Sequence, residues 1–338
     1  MSRDDIQPSH LQALQAHADP RLRLARAWKL ALAYGAGLLL LTQAPLWALA
    51  SAERRQVEEG LRDDLAHTVS READSFAESL SQACSELRFL ADDARVQRSF
   101  NEPEALREAE ASLLSLARIS KRYAQIRILD GSGKERVRVE RRGDALQAVG
   151  GDELQDKGRR YYLRRSLALK EGEVYVSPFD LNVEGGRVEE PPNPMIRLAS
   201  PVYGPAGERR GVVIMNFAGG PVLRSLREAA AARLGELWLV NSKGNWLLGP
   251  RPEVEWTFMR PKVPQQGMFS AHPETWRAIE SWARDLDLQT SEGSFAISAI
   301  RTKTCRPQRP GPWWATSAST RSPEPSRAEL AAGAWPRS

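Results

Sequence analysis

From Leu30 to Ala52 the chain reads LALAYGAGLLLLTQAPLWALASA, 23 residues without a charge. An α-helix needs about 20 such residues to cross the hydrocarbon core of a bilayer. Trp28, Tyr34 and Trp47 suit the lipid–water interface near its ends, and Pro45 is tolerable in a membrane helix. Arg21, Arg23, Arg26 and Lys29 precede the run. The positive-inside rule then keeps the N-terminus in the cytoplasm and exports the chain beyond Ala52. Ala48-Leu49-Ala50 and Ala50-Ser51-Ala52 offer the alternative of a cleaved signal peptide. The long lead before the run, and a run beyond the usual 7–15 residues or so, favour an uncleaved anchor.

Past the anchor the apolar positions step by three and four: Val57, Leu61, Leu65, Val69, Ala73, Phe76, Leu80, Ala83, Leu87, Leu90 and Ala94. That spacing predicts one striped helix over 53–98, about 70 Å long, whose stripe either packs on its own domain or pairs with a second copy. A second helix is expected over 103–122, with Asn101 as N-cap and Pro103 and Glu104 in its first turn. The period then changes to two. YAQIRILDGSGKERVRVERR alternates around Asp130-Gly131-Ser132-Gly133 and predicts a β-hairpin. Helix is expected again over 153–169. Strands follow at EVYVSPF, PMIRLASPVYG and RRGVVIMNF, and a connecting helix at 221–235. ELWLVNSKGNWLLG repeats the pattern of apolar strand, Asx-x-x-Gly turn and strand, so two related α+β modules are expected. A helix over 273–285 and a strand at GSFAISAI complete the second.

The resulting division is a cytoplasmic segment 1–29, an anchor 30–52, a stalk helix 53–98, a membrane-distal module 99–220, a membrane-proximal module 221–304, and an irregular, disordered tail 305–338. The tail holds six of the 22 prolines and three of the ten tryptophans, with no helix or strand period. No second long apolar run and no kinase or cyclase motif follows residue 300. A chain truncated or frame-shifted ahead of an output domain is the expectation.

Charge changes the picture little. The net charge is +5, but residues 301–338 carry seven Arg or Lys against two Glu and account for all of it. A nucleic-acid footprint needs basic residues clustered on a folded face, so no nucleic-acid partner is expected. Cys84 and Cys305 lack CxxC or metal spacing, and no disulfide framework is supported. His10, His17, His67 and His272 are scattered, so neither a metal nor a cofactor is expected.

The anchor, the long first helix and the paired modules resemble the extracytoplasmic double-Cache sensor regions of bacterial transmembrane receptors. These are PAS-like regions that precede histidine kinases, diguanylate cyclases or chemotaxis transducers. The text that carries the resemblance is RRYYLRRSLALKEGEVYVSPFDLNVEGGRVEEPPNPMIRLASPVYGPAGERRGVVIMNF, with LWLVNSKGNWLLGPRPEVEWTFM opening the proximal module. The resemblance implies an α+β fold with antiparallel sheets, an inner-membrane location with residues 53–300 periplasmic, and a pocket in the distal module. In amino-acid-binding members that pocket is marked by an Arg-x-aromatic-Tyr run and an Asp at the end of a later strand. Arg159-Arg160-Tyr161-Tyr162 is similar to the run, with Tyr161 in the usual Trp place. Asn216 stands where the Asp would be. An Asn cannot neutralise an ammonium group, so the pocket leans towards an organic acid rather than an amino acid.

Small-molecule sites are concave and carry a few polar anchors. The candidates are Tyr123, Arg127, Arg160, Tyr161, Tyr162, Arg165, Tyr175, Asp180 and Asn216. Each has a plainer explanation: strand core for Tyr123 and Tyr175, a solvated helix face for Arg164 and Arg165, a turn cap for Asp180, a strand-end turn for Asn216. The leading expectation is a membrane-anchored small-molecule sensor that forms a homodimer through the stalk helix. A ligand-free dimerisation scaffold is the alternative. An exported enzyme finds no support, since no Gly-x-Ser-x-Gly elbow, His-Glu-x-x-His motif, P-loop or Gly-x-Gly-x-x-Gly is present.

Overall fold

Helix α1 runs from Pro20 to Asp92. The computed structural model describes residues 20–184, 186–231, 236–280, 286–302, 305 and 314–320, so most of the expected cytoplasmic segment lies outside the described residues. The chain divides into two units, up to Leu61 and from Arg62 onward. In the first, α1 is the one described helix long and apolar enough to cross a membrane. Its large side chains, among them Leu32, Leu41 and Trp47, are exposed.

In the second unit the same helix is an ordinary core element. Leu65, Val69, Ala73, Phe76, Leu80, Ala83, Leu87 and Leu90 are all buried. The opposite face carries Asp63, His67, Arg71, Asp74, Glu78, Gln82 and Ser85, with Phe89 its one large apolar side chain. The expected stripe is therefore spent on the protein's own core from Leu65 onward and offers no apolar seam to a second copy there. Asp93 ends α1 in extended geometry, and its carboxylate accepts from Arg95 N at 2.8 Å to cap the short helix α2, Ala94–Arg98. Helix α3, Pro103–Ile119, starts one residue later than its expected Asn101 cap, at Glu102, with Pro103 in the first turn.

Strands β1 (Tyr123–Asp130), β2 (Glu135–Arg142) and β3 (Ala145–Ala148) follow. Helix was expected over 153–169, but only α4, Tyr161–Leu167, forms. Residues 156–158 instead dock on the hairpin turn: Lys157 N donates to Gly133 O at 2.8 Å, and Lys134 bridges Asp156. A Cβ on Gly133 would strike the Gly158 backbone, and one on Gly158 would strike the Ser132 carbonyl oxygen, which explains why both positions are glycine.

Next come β4 (Tyr175–Val176), β5 (Asp180–Leu181), β6 (Val183–Glu184), β7 (Arg187–Val188), β8 (Pro194–Tyr203) and β9 (Arg209–Ala218). The first sheet is antiparallel with order β3-β2-β1-β9-β8-β4, and β5 also pairs with β8. One of its faces, with Ile126, Ile128, Val137, Val139, Met215, Ile196 and Leu198, packs in the core that contains α1 and α3.

Helix α5, Gly219–Ala231, leads to a second sheet: β10 (Glu236–Asn241), β11 (Trp246–Leu248), β12 (Leu286–Thr290), β13 (Gly293–Ala299) and β14 (Trp314–Thr320). Short helices α6 (Met268–Ala271) and α7 (Pro273–Glu280) lie between β11 and β12. The internal repeat is structural. In the first hairpin Asp130 Oδ1 accepts from Ser132 N at 2.9 Å and Lys134 N at 3.1 Å. In the second, Asn241 Oδ1 accepts from Lys243 N at 2.9 Å and Asn245 N at 3.1 Å. Gly133 and Gly244 both take positive φ, 96° and 75°. The same core continues into the second sheet through Leu223, Leu226, Leu237 and Leu239.

Two expectations fall here. The 305–338 segment is not irregular throughout, because β14 pairs with both β10 and β13; its other residues, apart from Cys305, lie outside the described ones. The cysteines are not independent, because Cys84 on α1 and Cys305 form a disulfide with Cα atoms 6.1 Å apart across 221 residues.

Candidate functional site

The second face of the first sheet is two-part. Towards one end Leu129, Ala199, Val212 and Ile214 pack against Tyr162, Leu163, Leu169 and Tyr175, so α4 seals it. Towards the other end the residues are polar. Glu140, Gln125, Asn216 and Arg197 stand opposite one another in register on β2, β1, β9 and β8. Arg127 and Arg138 face each other on the adjoining rung. Strict alternation on β1 and β2 forces this, because apolar side chains on the core face leave Gln125, Arg127, Arg138 and Glu140 on the other.

These side chains line a cavity of about 830 Å³, bordered also by Arg160, Tyr161, Tyr162, Asp180, Asn182 and Glu189. Its side chains are held before any ligand arrives. Asn216 accepts from Arg127 Nη2 at 3.2 Å and donates to Gln125 Oε1 at 3.2 Å; Gln125 in turn donates to Glu140 at 3.2 Å. Arg197 donates to Asp180 Oδ1 at 2.5 Å and Asn182 Oδ1 at 3.2 Å, with its guanidinium 5.9 Å from the Tyr162 ring centre. Tyr161 donates to Asp180 Oδ2 at 3.3 Å, and Glu189 accepts from Asn182 and Asn193. Beneath this layer Glu135, wholly buried, pairs with Arg127 at 3.2 Å and Arg138 at 3.1 Å.

The lining is basic by a narrow margin. Seven basic side chains line the cavity (Arg127, Arg138, Arg141, Arg142, Arg160, Arg197 and Lys157) against five acidic ones (Glu140, Asp152, Glu153, Asp180 and Glu189), and the buried Glu135 behind Arg127 and Arg138 adds a sixth carboxylate. Among the described residues, Arg127 Nε and Arg141 Nε are buried without a hydrogen-bond partner. Burial pushes the Asp180 carboxyl above the ordinary carboxylate range, and Arg197 only partly offsets it. Burial also works against the Arg197 charge, but Asp180 together with Tyr161 and Tyr162 outweighs it and holds the guanidinium protonated. Donors in surplus over carboxylates suit an anionic ligand.

Of the nine candidates, Arg127, Arg160, Tyr161, Tyr162, Asp180 and Asn216 line the cavity. Tyr123, Arg165 and Tyr175 do not. Tyr123 is on the core face, its hydroxyl donating to Glu86 of α1, and burial together with Glu86 raises its phenol far above the ordinary range. The register of β1 shifts between Tyr123 and Gln125, which turns Tyr123 away from the face its odd number implies. Arg165 is exposed on α4, and Tyr175 is packed against α4. Arg197, Gln125, Arg138 and Glu140 were missed. The β1–β2 alternation could have shown three of them.

A family model, bacterial histidine kinase sensor domain, matches residues 56–289. No curated protein matches the chain. Among solved structures, the extracellular domain of a protein assigned as a histidine kinase aligns with TM-score 0.66 at 20% identity, over 77% of this chain and 91% of that one. A domain of a protein assigned to the sensory box/GGDEF family from Vibrio parahaemolyticus gives TM-score 0.66 at 20% identity, over 77% and 96%. The ligand-binding domain of a Campylobacter jejuni chemoreceptor, in complex with 4-methylisoleucine, gives TM-score 0.51 at 12% identity, over 77% and 90%. These likenesses concern the fold.

Proposed function

The chain belongs to the family of bacterial histidine kinase sensor domains, and on that premise we propose that its ligand site is the cavity on the first sheet and that the ligand is an organic anion. As a member it is an input domain for signal transduction, from a family of extracellular sensors, and among its described residues one helix, near the N-terminus, is long and apolar enough to cross a membrane. The observation that carries the ligand reading is the polar rung Glu140–Gln125–Asn216–Arg197 flooring a cavity with more guanidinium than carboxylate. The chemoreceptor relative holds a branched amino acid. In this chain Asn216, bonded to Arg127 and Gln125, stands in the place of the acid that the family resemblance assigns to ammonium binding. Four of the five carboxylates lining the site are paired: Asp180 with Arg197, Glu140 with Arg138 and Arg142, Glu153 with Arg142, and Glu189 with two amides. That arrangement supports a binding module rather than an enzyme. Thermal melts of the full chain against a panel of carboxylic acids test the reading. An acid present at 100 times its dissociation constant stabilises the fold by roughly 2.7 kcal/mol. A panel in which only amino acids shift the melt overturns it.

We further infer that α1 anchors the chain with its N-terminus in the cytoplasm and that the part beyond residue 52 is periplasmic. The basic lead before the apolar run supports the orientation. The Cys84–Cys305 disulfide adds to it, since such bonds persist in oxidising compartments. In intact cells both thiols should resist alkylation until a reductant is added; immediate alkylation would place the domain on the reducing side. Pairing of two copies along α1 remains part of this reading, through its polar outer face beyond residue 62 rather than through the buried stripe.

A further inference from the structure

Among the described residues one non-glycine residue has a positive φ, Trp256 at 59°. A bulky side chain rarely adopts that conformation, and it persists only where surrounding packing holds it. The packing here is specific. The Phe179 ring meets Trp256 edge-on at 5.3 Å. Phe179 also touches Phe76 of α1 at 6.1 Å, and lies so close to Gly219 that no Cβ fits there. Two residues on, Leu181 N donates to Met259 Sδ at 3.1 Å, and Met259 N donates back to Trp256 O at 2.9 Å. Trp256 N is bonded to Trp246 O of β11, at 2.9 Å, so this turn is part of the second sheet's edge.

The residues between these contacts look the other way. Asp180 and Asn182 turn their side chains to the cavity, where both accept from Arg197. Four consecutive residues thus present a ligand-facing side and a side wedged against a strained turn of the second sheet. We propose that residues 179–182 are the mechanical link between the cavity and the second sheet. An anion that draws Arg197 away from Asp180 and Asn182 shifts this segment, moves the Phe179 ring against Trp256, and changes how firmly the left-handed turn is held. Packed elements of this kind switch between discrete arrangements rather than deform continuously, which is what transmission requires. The proposal rests on the cavity being the sensing site for its biological sense, but the coupling itself is testable without any ligand.

The test uses the full chain in detergent, labelled with 5-fluorotryptophan, with the Trp256 fluorine resonance assigned by loss in Trp256→Phe. Asp180→Asn weakens the hold of Arg197 on the segment, and Glu153→Gln changes a cavity charge on another wall. The expected result is a shifted or broadened Trp256 resonance, and faster amide exchange over residues 256–260, in Asp180→Asn but not in Glu153→Gln. Tyr161→Phe, which removes only the hydroxyl bonded to Asp180, gives a smaller shift of the same sign and serves if Asp180→Asn does not fold. An unmoved Trp256 signal with unchanged exchange in a folded variant overturns the link. So does an equal response to Glu153→Gln, which would mean a general field effect. A moving Trp256 in a chain that binds no acid would leave the link standing and sink the ligand reading; acid binding with Trp256 fixed would do the reverse.

Discussion

Glu135→Ala should cost about 3–5 kcal/mol of folding stability, the expected loss when one partner of a buried ion pair is removed. The Glu135 side chain has no exposure and lies between two guanidiniums that are each about 5% exposed. Its carboxylate meets Arg127 at 3.2 Å, Arg138 at 3.1 Å and the Gln155 amide at 3.0 Å. Arg138 keeps a second acid, Glu140, at 3.4 Å. Among the described residues Arg127 keeps only the neutral Asn216, so most of the loss is its uncompensated charge. For a domain of this size the change lowers Tm by roughly 10 °C. Glu208→Gln, at a carboxylate 46% exposed whose amide replacement can still accept from Arg210, should cost far less. Urea melts followed by circular dichroism check both. A loss at Glu135 no larger than at Glu208 would mean the triad is not the buried support of the cavity floor.

Arg197→Ala should abolish most anion binding, and it should also lower stability, because Arg197 is one half of a largely buried ion pair. Losing a charge-assisted hydrogen bond costs about 1.5–3 kcal/mol, or roughly 10- to 150-fold in affinity. The variant also leaves Asp180 without its cation, which pushes that buried carboxyl further towards its neutral form. Arg197→Lys keeps the charge but not the fork that reaches Asp180 and Asn182 together, and should fall between wild type and alanine. Calorimetric titration with whichever acid gives the largest thermal shift reads all three proteins. Equal affinity in wild type and folded Arg197→Ala would remove Arg197 from the site.

Much of this was legible in the chain. The alternation of Gln125 and Arg127 with Ile126 and Ile128 marks a two-faced strand, and the Asp130 and Asn241 turns announce two hairpins of one design. Of the Arg159-Arg160-Tyr161-Tyr162 run and Asn216, which the family resemblance singled out, all but Arg159 line the cavity. What was hidden is non-local. Arg197 sits inside a strand that reads as apolar, and its role depends on Asp180 and Asn182 arriving from another segment. Tyr123 leaves the polar face because of an irregular register that no pattern of residues displays. The disulfide closes 221 residues, and the strand Trp314–Thr320 is built mostly of small residues, so neither advertises itself locally. The stalk stripe was visible, but its partner was not: spacing cannot say whether Leu80 and Leu87 meet a neighbouring chain or the protein's own sheet.

The most direct measurement is calorimetry of the full chain with matched ligand pairs that differ only by an α-ammonium group, such as propionate against alanine and succinate against aspartate. A cavity that offers Asn216 and a surplus of guanidinium should bind at least one acid, and bind its amino counterpart more weakly by about tenfold, the equivalent of 1.4 kcal/mol. Tighter binding of the amino acids, or a folded chain that binds neither member of any pair, would contradict the account.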